Sequence, residues 1–423
     1  MTPAELHQIV AEAGKALDGD QPWIAVELYT QILAQTDPKT EKLETQDLRL
    51  VALYERGRVL REMGEMEASL AAFEQYLHEA QDKRHQSRAL ESIGSIYRNL
   101  GRYQEAREKY EESLKLAEAI MYPYGRAKAL EGLGDYHHLL GHEEEAQNYY
   151  QMSYALFKSS GNLIGQITTL TSIGIMQSYN AIDKAIATYE EALGLARKVG
   201  QTIYVVALLN NLGECYQDLF DLEHALAIHQ EALTLSKQAQ TRHLEADIER
   251  NIGVELTYLK QYEPAMQYLR RALSISREIN DVDIESQSLY SMALVEVNQQ
   301  QVEEAERHAQ QLQGLAQQTN SERYWARARY VLGLVKQKQG DGTAAAEQWQ
   351  QALFLAHRTN QRMLLWQIHA SLAEISTMPG LGAVHLRIAA EIIQQIAQPI
   401  HDETLRNQFI AAAPVAQVLK QAR

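Results

Sequence analysis

A short pattern of small and apolar residues returns about every 40 residues, and this period constrains the fold more than any other feature of the sequence. A glycine follows Ile or Leu at five places that are separated by 40, 40, 39 and 40 residues: Gly94, Gly134, Gly174, Gly213 and Gly253. The same period extends in both directions to further small residues: Ala13, Gly57, Ala293, Gly333 and Ala373. A fixed period of this length is typical of repeat architectures. The sequence therefore predicts ten repeated units.

A second ladder of small residues lies about twelve positions after the first, and a bulky side chain follows it by four. The bulky positions are held by Phe73, Tyr110, Tyr150, Tyr189, Leu269 and Trp349, and Trp349 is expected to lie in the core. In each half of a unit, apolar residues stand three or four apart, which indicates amphipathic helices. Each unit is therefore expected to be a helical hairpin, with small residues that let its two helices approach closely. Several units end on residues that tolerate a left-handed helix cap: Gly161, Gly200, Asn280, Asn320 and Asn360.

The pattern Leu-x-x-Ile/Leu-Gly-x-x-Tyr, followed by Ala-x-x-x-Tyr-x-x-Ala-Leu, resembles the tetratricopeptide repeat. Repeats of about 40 residues are similar to those of kinesin light chains, spindle-orientation adaptors and bacterial Rap-type regulators. The resemblance implies an all-α, right-handed solenoid of about ten hairpins that acts as a non-enzymatic protein-interaction scaffold. We expect an atypical N-terminal unit over 1–44 that includes an insertion at residues 36–41, the repeat array over 45–398, and capping helices over 399–423.

Charge and composition narrow the class of partner. The chain of 423 residues has 40 Lys and Arg against 55 Asp and Glu, a net charge of −15, which opposes binding to nucleic acid or anionic lipid. The single cysteine, Cys215, excludes an internal disulfide framework and suits a reducing compartment. No apolar run reaches the length of a membrane span. We expect a cytoplasmic protein without a cofactor.

The resemblance implies that the first helix of each hairpin, helix A, lines a concave groove. Counted from the reference small residue, the exposed positions are expected six, three and two before it and one, four and five after it. In units six and seven this rule selects Asn210, Asn211, Glu214, Asp218, Arg250, Asn251 and Tyr258. The carboxamides of Asn211 and Asn251 match the N–H and C=O groups of an extended peptide, and Arg250 could pair with a ligand carboxylate. Alternatively, both asparagines hydrogen-bond to neighbouring helices or water.

The same rule selects a basic stretch in units three and four. Its candidates are Arg88, Arg98 and Lys128, together with His138. They could receive acidic side chains of a partner, although Glu91 and Glu131 stand three residues after two of these cations and could neutralise them. Aromatic groove candidates are Tyr290 and Tyr330 in units eight and nine.

Signals for catalysis or metal binding are weak. His138 and His142 have the spacing of a helical metal pair, but His142 falls in a predicted turn, and two ligands are too few. Cys215 is expected to be buried packing. The favoured function is a scaffold that binds a peptide segment or helix of a partner protein; the alternative is a bacterial signalling regulator whose superhelix changes shape on binding.

The C-terminal segment leaves two further possibilities open. Residues 402–409 resemble the tail that closes repeat sensor regions in large bacterial signalling ATPases and transcription regulators. Apolar residues there are compatible with capping of the array, which we favour, or with self-association: Phe409, Ile410, Val415 and Leu419.

Overall fold

A computed structural model describes residues 2–18, 21–37, 39 and 43–423 of the chain. Over these residues it contains 22 helices and no strand. They form ten hairpins, each with a helix A and a helix B, followed by two short helices. The A helices are α1 (Pro3–Asp18), α3 (Leu43–Glu62), α5 (Lys83–Asn99), α7 (Pro123–Leu139), α9 (Leu163–Ser178), α11 (Thr202–Asp218), α13 (Arg242–Tyr258), α15 (Val282–Asn298), α17 (Glu322–Lys338) and α19 (Arg362–Ile375).

The second helix of each hairpin follows after a short turn. The B helices are α2 (Pro22–Gln35), α4 (Met66–Glu79), α6 (Tyr103–Ala119), α8 (Glu143–Ser159), α10 (Ile182–Val199), α12 (Leu222–Ala239), α14 (Tyr262–Glu278), α16 (Val302–Thr319), α18 (Gly342–Arg358) and α20 (Leu381–Ala397). The C-terminal helices are α21 (Glu403–Ala411) and α22 (Ala413–Gln421). The predicted all-α solenoid of ten hairpins is confirmed.

The chain divides into two compact bodies of several hairpins each, and the boundary lies within α9. These two bodies, and not single repeats, are called unit 1 and unit 2 below. Unit 1 comprises residues 1–173 and unit 2 residues 174–423. The predicted boundaries at 44 and 398 separate types of repeat rather than compact bodies, and they stay predictions. Of the predicted insertion over residues 36–41, Pro38, Thr40 and Glu41 lie outside the described residues.

The A helices form the inner layer of each unit. Within each unit, B helices pack against the A helix before them and the A helix after them, as α6 does with α5 and α7 in unit 1 and α12 does with α11 and α13 in unit 2. In addition, successive A helices pack directly on each other: α5 on α7 in unit 1, and α11, α13, α15, α17 and α19 in sequence in unit 2. Because the A helices are the more closely spaced layer, the side chains that they share line the inner face of their unit.

The glycine ladder allows the close approach of helices A and B that the sequence predicts. A Cβ atom placed on Gly94 would lie 2.7 Å from Cε1 of Tyr110, and one on Gly333 would lie 2.2 Å from Nε1 of Trp349. Both distances are well inside van der Waals contact, so the bulky ladder residue of helix B occupies the space that a side chain would need. Trp349 is fully buried as predicted, and its indole N–H donates to the Tyr330 carbonyl over 3.0 Å.

Helix ends follow the predicted chemistry. The five residues proposed as left-handed caps all have positive φ, between 49° at Asn360 and 74° at Gly200. At the N-terminus, the backbone N–H of Thr2 donates to Glu5 over 2.7 Å, and the N–H of Glu5 donates to the Thr2 hydroxyl over 3.3 Å. This reciprocal capping box starts α1.

The C-terminal helices pack inside unit 2. Helix α22 lies against α20, and the Phe409 ring of α21 stacks on Phe220, with ring centres 6.3 Å apart. The backbone N–H groups of His401 and Asp402 donate to Oδ2 of Asp183, in α10, over 2.9 and 3.2 Å. Phe409 and Val415 are fully buried within the chain, which is the arrangement expected of a cap; self-association stays an untested prediction.

Candidate functional site

A buried network of polar side chains joins α11 to α13 on the inner face of unit 2. Arg250 donates to Asp247 over 2.6 Å and to Glu214 over 3.1 Å. The Asn251 amide donates to Asn210 over 3.1 Å and to Glu214 over 3.2 Å. Asn210 in turn donates to Asp247 over 3.0 Å. The network therefore fixes the spacing and register of two successive A helices.

This network corrects the predicted exposure of three candidate contact residues. Asn251 is completely buried, and Asn210 and Arg250 are only 4% and 7% exposed, because these side chains lie between the successive helices α11 and α13. The Asn251 amide hydrogen-bonds to the neighbouring helix α11, as the alternative interpretation held, and Arg250 is already paired with two carboxylates. Asn211, by contrast, is half-buried and its carboxamide makes no hydrogen bond to any described residue.

The carboxyl groups of this region have shifted pKa values. Burial raises the pKa of Glu214, and the nearby Asp247 charge adds to the effect against the attraction of Arg250. Burial also opposes ionisation of Asp247, but Arg250 and Asn210 outweigh it and lower the pKa of Asp247. Asp218 is reached by water, yet the surrounding protein and Glu214 raise its pKa to about 7. Asp218 is therefore a carboxyl group that changes charge near neutral pH.

Three tyrosines from successive hairpins form an aromatic band beside this network: Tyr258, Tyr290 and Tyr330. Burial raises the pKa of each phenol, that of Tyr330 to about 12. Tyr258 remains 40% exposed, and its ring lies edge-on to Phe220, with ring centres 5.2 Å apart. Tyr330, a predicted groove candidate, is only 8% exposed and belongs to the apolar core of α17 to α19 instead. Of the predicted groove tyrosines, Tyr258 and Tyr290 therefore keep partly exposed side chains, and Tyr330 does not.

Arg327 lies next to this band and was missed by the sequence analysis. Its guanidinium carbon is 5.5 Å from the centre of the Tyr290 ring, and Arg327 forms no ion pair with any described residue. Burial lowers the pKa of Arg327, and it outweighs the opposite effect of the neighbouring Tyr290; the positive charges of Arg323 and Arg250 lower the pKa further, against the attraction of Asp283. The available signal was its position, six residues before Gly333, where the groove rule places an exposed residue.

In unit 1, two of the three predicted basic residues are neutralised. Arg98 is paired with Asp135 of the next A helix, and Lys128 is paired with Glu131 over 2.5 Å. For Lys128, the alternative interpretation is the correct one. Arg88 differs, because its guanidinium lies 4.2 Å from the centre of the Tyr54 ring and pairs with no carboxylate of the described residues.

The repeat assignment follows from comparison with known proteins. The tetratricopeptide repeat family model matches residues 85–159 and 204–278, which contain the hairpins of α5 to α8 and of α11 to α14. These two segments are tetratricopeptide repeats. A comparison with curated proteins gave no match.

Solved structures with the same fold include bacterial and archaeal regulators that are distant in sequence. A STAND signal transduction ATPase with a tetratricopeptide repeat sensor from Pyrococcus horikoshii is 16% identical over 87% of this chain, with a TM-score of 0.60. The present chain spans 55% of the length of that protein. The apo quorum sensor NprR from B. thuringiensis is 18% identical and has a TM-score of 0.58, covering 82% of this chain and 97% of NprR.

A third structure contains a bound peptide. The Rap conjugation gene regulator of the plasmid pLS20, in complex with the Phr* peptide, is 16% identical and has a TM-score of 0.51. The match covers 85% of this chain and 97% of the regulator. At these identities, the three likenesses establish the fold of the tetratricopeptide array alone.

One tetratricopeptide hairpin replaces its ladder aromatic with a buried histidine. His229 lies against Gly213, is completely buried, and has Nδ1 2.5 Å from a carboxylate oxygen of Glu255, itself completely buried. Its Nε2 donates to the Asn210 carbonyl over 3.2 Å. The pair links α12 to the network between α11 and α13. The sequence signal was a polar residue at position 229 in an otherwise apolar ladder.

The histidines and the cysteine considered as reactive groups lie at packed or turn positions. His138 is half-buried, burial lowers its pKa, and His142 lies in the turn before α8, as predicted. No group of three metal-ligating side chains lies together in the part of the chain that the structure describes. Cys215 is buried, and burial raises the pKa of its thiol. None of the helices traced in the described ranges is long and apolar enough to cross a membrane.

Proposed function

We propose that this chain is a non-enzymatic regulatory scaffold that binds a peptide segment on the inner face of unit 2. The observation that supports the proposal is the pair of partly exposed tyrosines on successive A helices, Tyr258 and Tyr290. Tyrosines are enriched at binding surfaces because they offer a large apolar area and a polar tip. Asn211, on the A helix before Tyr258, adds a carboxamide that makes no hydrogen bond to any described residue.

The solved structures support the class of ligand. The pLS20 Rap regulator binds the Phr* peptide and NprR is a quorum sensor; a peptide ligand and a regulatory role are therefore the natural proposals for a chain with the same fold. The rigid network around Arg250 supports it as well, because a preorganised face loses less entropy when a flexible peptide binds.

The proposal is tested with peptides selected from a random heptapeptide display library on the wild-type chain. Binding of the selected peptides is then measured by calorimetry on an inner-face variant, Asn211→Ala/Asp218→Ala. We expect the affinity to fall about tenfold, the equivalent of one or two lost hydrogen bonds. The matched control is Gln230→Ala, an exposed residue of α12, which should leave the affinity unchanged. Equal affinity of all three proteins would place the binding surface elsewhere.

A change of shape on binding is a second proposal, and the C-terminal contacts favour it. The stacking of Phe409 on Phe220 and the bonds to Asp183 join the tail to the first helices of unit 2. A ligand that separates or tightens these contacts would change the dimensions of the unit. Small-angle scattering with and without a selected peptide tests this proposal: a changed radius of gyration supports a switch, and an unchanged one supports a passive scaffold.

A further inference from the structure

We infer that Arg327 and Tyr290 form a carboxylate-binding subsite on the inner face of unit 2, and that they recognise an acidic group of the bound peptide. The inference rests on the proposed function and names the chemistry of its ligand. It depends on the contacts of Arg327, on the free hydroxyl of Tyr290, and on the charges around both residues.

Arg327 is the inner-face arginine of unit 2 whose donors are unused. The guanidinium group has five N–H donors, and Arg327 makes no hydrogen bond or ion pair to any residue that the structure describes. Its sole specific contact is with the Tyr290 ring. Arg250, on the same face, uses its donors on Asp247 and Glu214. The difference indicates that Arg327 is positioned by stacking and left available for a ligand.

The nearby charges do not satisfy Arg327. The carboxylate that attracts it is Asp283, but the Asp283 oxygens already accept from the Tyr324 hydroxyl over 2.7 Å and from the Gln287 amide over 3.0 Å. A half-buried cation without an anion is costly to desolvate, and a bound carboxylate would offset that cost.

Tyr290 supplies a second donor at the same place. The Tyr290 hydroxyl has no hydrogen-bond partner among the described residues, so it can donate to an oxygen held by Arg327. A planar carboxylate suits this pair because one guanidinium can bind both oxygens. A phosphate dianion is less suited, since Glu214 and Asp218 lie on the same face.

The test uses three pools of randomised heptapeptides. The first has a free C-terminal carboxylate and no Asp or Glu, the second is amidated and contains Asp or Glu, and the third is amidated without either. The wild-type chain should retain the first or the second pool at least about tenfold more than the third, as expected for a charge-assisted hydrogen bond. Which pool is enriched distinguishes a terminal carboxylate from an acidic side chain.

Arg327→Gln should remove this preference while still retaining peptides. The matched control is Arg329→Gln on the same helix, because Arg329 donates to Gln348 over 2.8 Å and stacks on Trp325 instead; it should keep the preference. Unchanged melting temperatures would show that both variants are folded. Equal retention of the three pools by wild type, or a preference that survives Arg327→Gln, overturns the carboxylate subsite and leaves the proposed function standing. If wild type retains no pool, the proposed function itself fails.

Discussion

The inner faces of units 1 and 2 contain the same pair of residues at the same register, with different electrostatic outcomes. Arg88 and Arg327 both stand six residues before the reference glycine, and each stacks on the tyrosine three before the reference residue of the preceding hairpin, Tyr54 or Tyr290. Burial opposes the charge of both. Around Arg88, the neighbouring tyrosines outweigh the effect of burial and raise the pKa of the guanidinium, whereas the pKa of Arg327 is lowered. The repeat therefore fixes the position of the arginine, and the side chains around that arginine determine whether its charge is stabilised within the chain.

The ion pairs of the two inner faces differ in burial. In unit 1, the side chains of Arg98 and Asp135 are 27% and 20% exposed. In unit 2, the Arg250 side chain is 8% exposed and holds two carboxylates, Glu214 and Asp247, whose side chains are 41% and 20% exposed. The difference between the two faces therefore lies in the arginine, which is buried in unit 2 and partly hydrated in unit 1.

The largest expected effect is that of Arg250→Gln. The substitution leaves Asp247 and Glu214 without their cation in a buried network, and we expect a loss of about 3 kcal/mol in the free energy of unfolding. Urea denaturation measures it. The matched change in unit 1, Arg98→Gln, should cost about 0.5 kcal/mol because that pair is partly hydrated. Equal losses in the two variants would contradict the difference drawn between the two faces.

Glycine replacement in the ladder should have the next largest effect. Gly333→Ala in unit 2 places a Cβ against the buried Trp349 indole and disturbs its bond to the Tyr330 carbonyl, which should cost about 2 kcal/mol. Gly94→Ala in unit 1 meets the Tyr110 ring at the longer distance and should cost less.

Gly314→Ala in α16 is the control for these two glycine variants. A Cβ there has no atom within 4 Å, so the better helix propensity of alanine should stabilise the chain by up to about 1 kcal/mol. Thermal unfolding of the three variants checks the order. If Gly314→Ala were as destabilising as Gly333→Ala, the losses at the ladder glycines would not come from contact with the bulky side chain of helix B.

Substituting the two stacked arginines should give opposite results. Arg88→Gln removes a cation–π contact that the tyrosines stabilise, so the free energy of unfolding should fall by about 0.5–1 kcal/mol. Arg327→Gln removes a charge that the folded chain does not neutralise, so stability should stay the same or rise. A loss on Arg327→Gln as large as that on Arg88→Gln would mean that both arginines are structural.

The smallest effect concerns pH. The pKa of Asp218 is about 7 in the folded chain, above its ordinary value of 3.8. The folded state therefore holds the proton more tightly, and stability from this group should fall as the pH rises from about 4 to about 7. Asp218→Asn should remove that part of the pH dependence in melting temperatures recorded over this range.

The matched position for Asp218 in unit 1, five residues after the reference glycine, is Asn99. Its side chain lies beside Arg98, so the carboxyl introduced by Asn99→Asp should ionise readily and add no loss of stability between pH 4 and 7. If Asn99→Asp added a fall in melting temperature between pH 4 and 7 like the one attributed to Asp218, the raised pKa of Asp218 would not be specific to unit 2.

The hairpins could be predicted from sequence because they depend on local chemistry. The period of the small residues, the helical spacing of apolar residues and the left-handed caps each involve residues within one hairpin. Gly333 and Trp349 illustrate this, since their spacing in the chain fixes their contact in space. The same reasoning placed Trp349 in the core.

The burial and the pairing of the inner-face side chains could not be predicted, because both depend on neighbouring helices. Asn251 occupies a groove position by count, but α11 approaches closely enough to bury it. Arg327 is distinctive only because no carboxylate of the described chain pairs with it, and this is visible only in the assembled unit. The buried His229–Glu255 pair joins residues 26 positions apart, which no local pattern indicates.

The most direct test of the central claim is amide hydrogen exchange with and without a peptide selected on the wild-type chain. Our account predicts that the peptide slows exchange in the A helices of unit 2, α11, α13, α15 and α17, and leaves α5 and α7 of unit 1 unchanged. Protection confined to α5 and α7, or to B helices, would contradict the assignment of the inner face of unit 2 as the binding site.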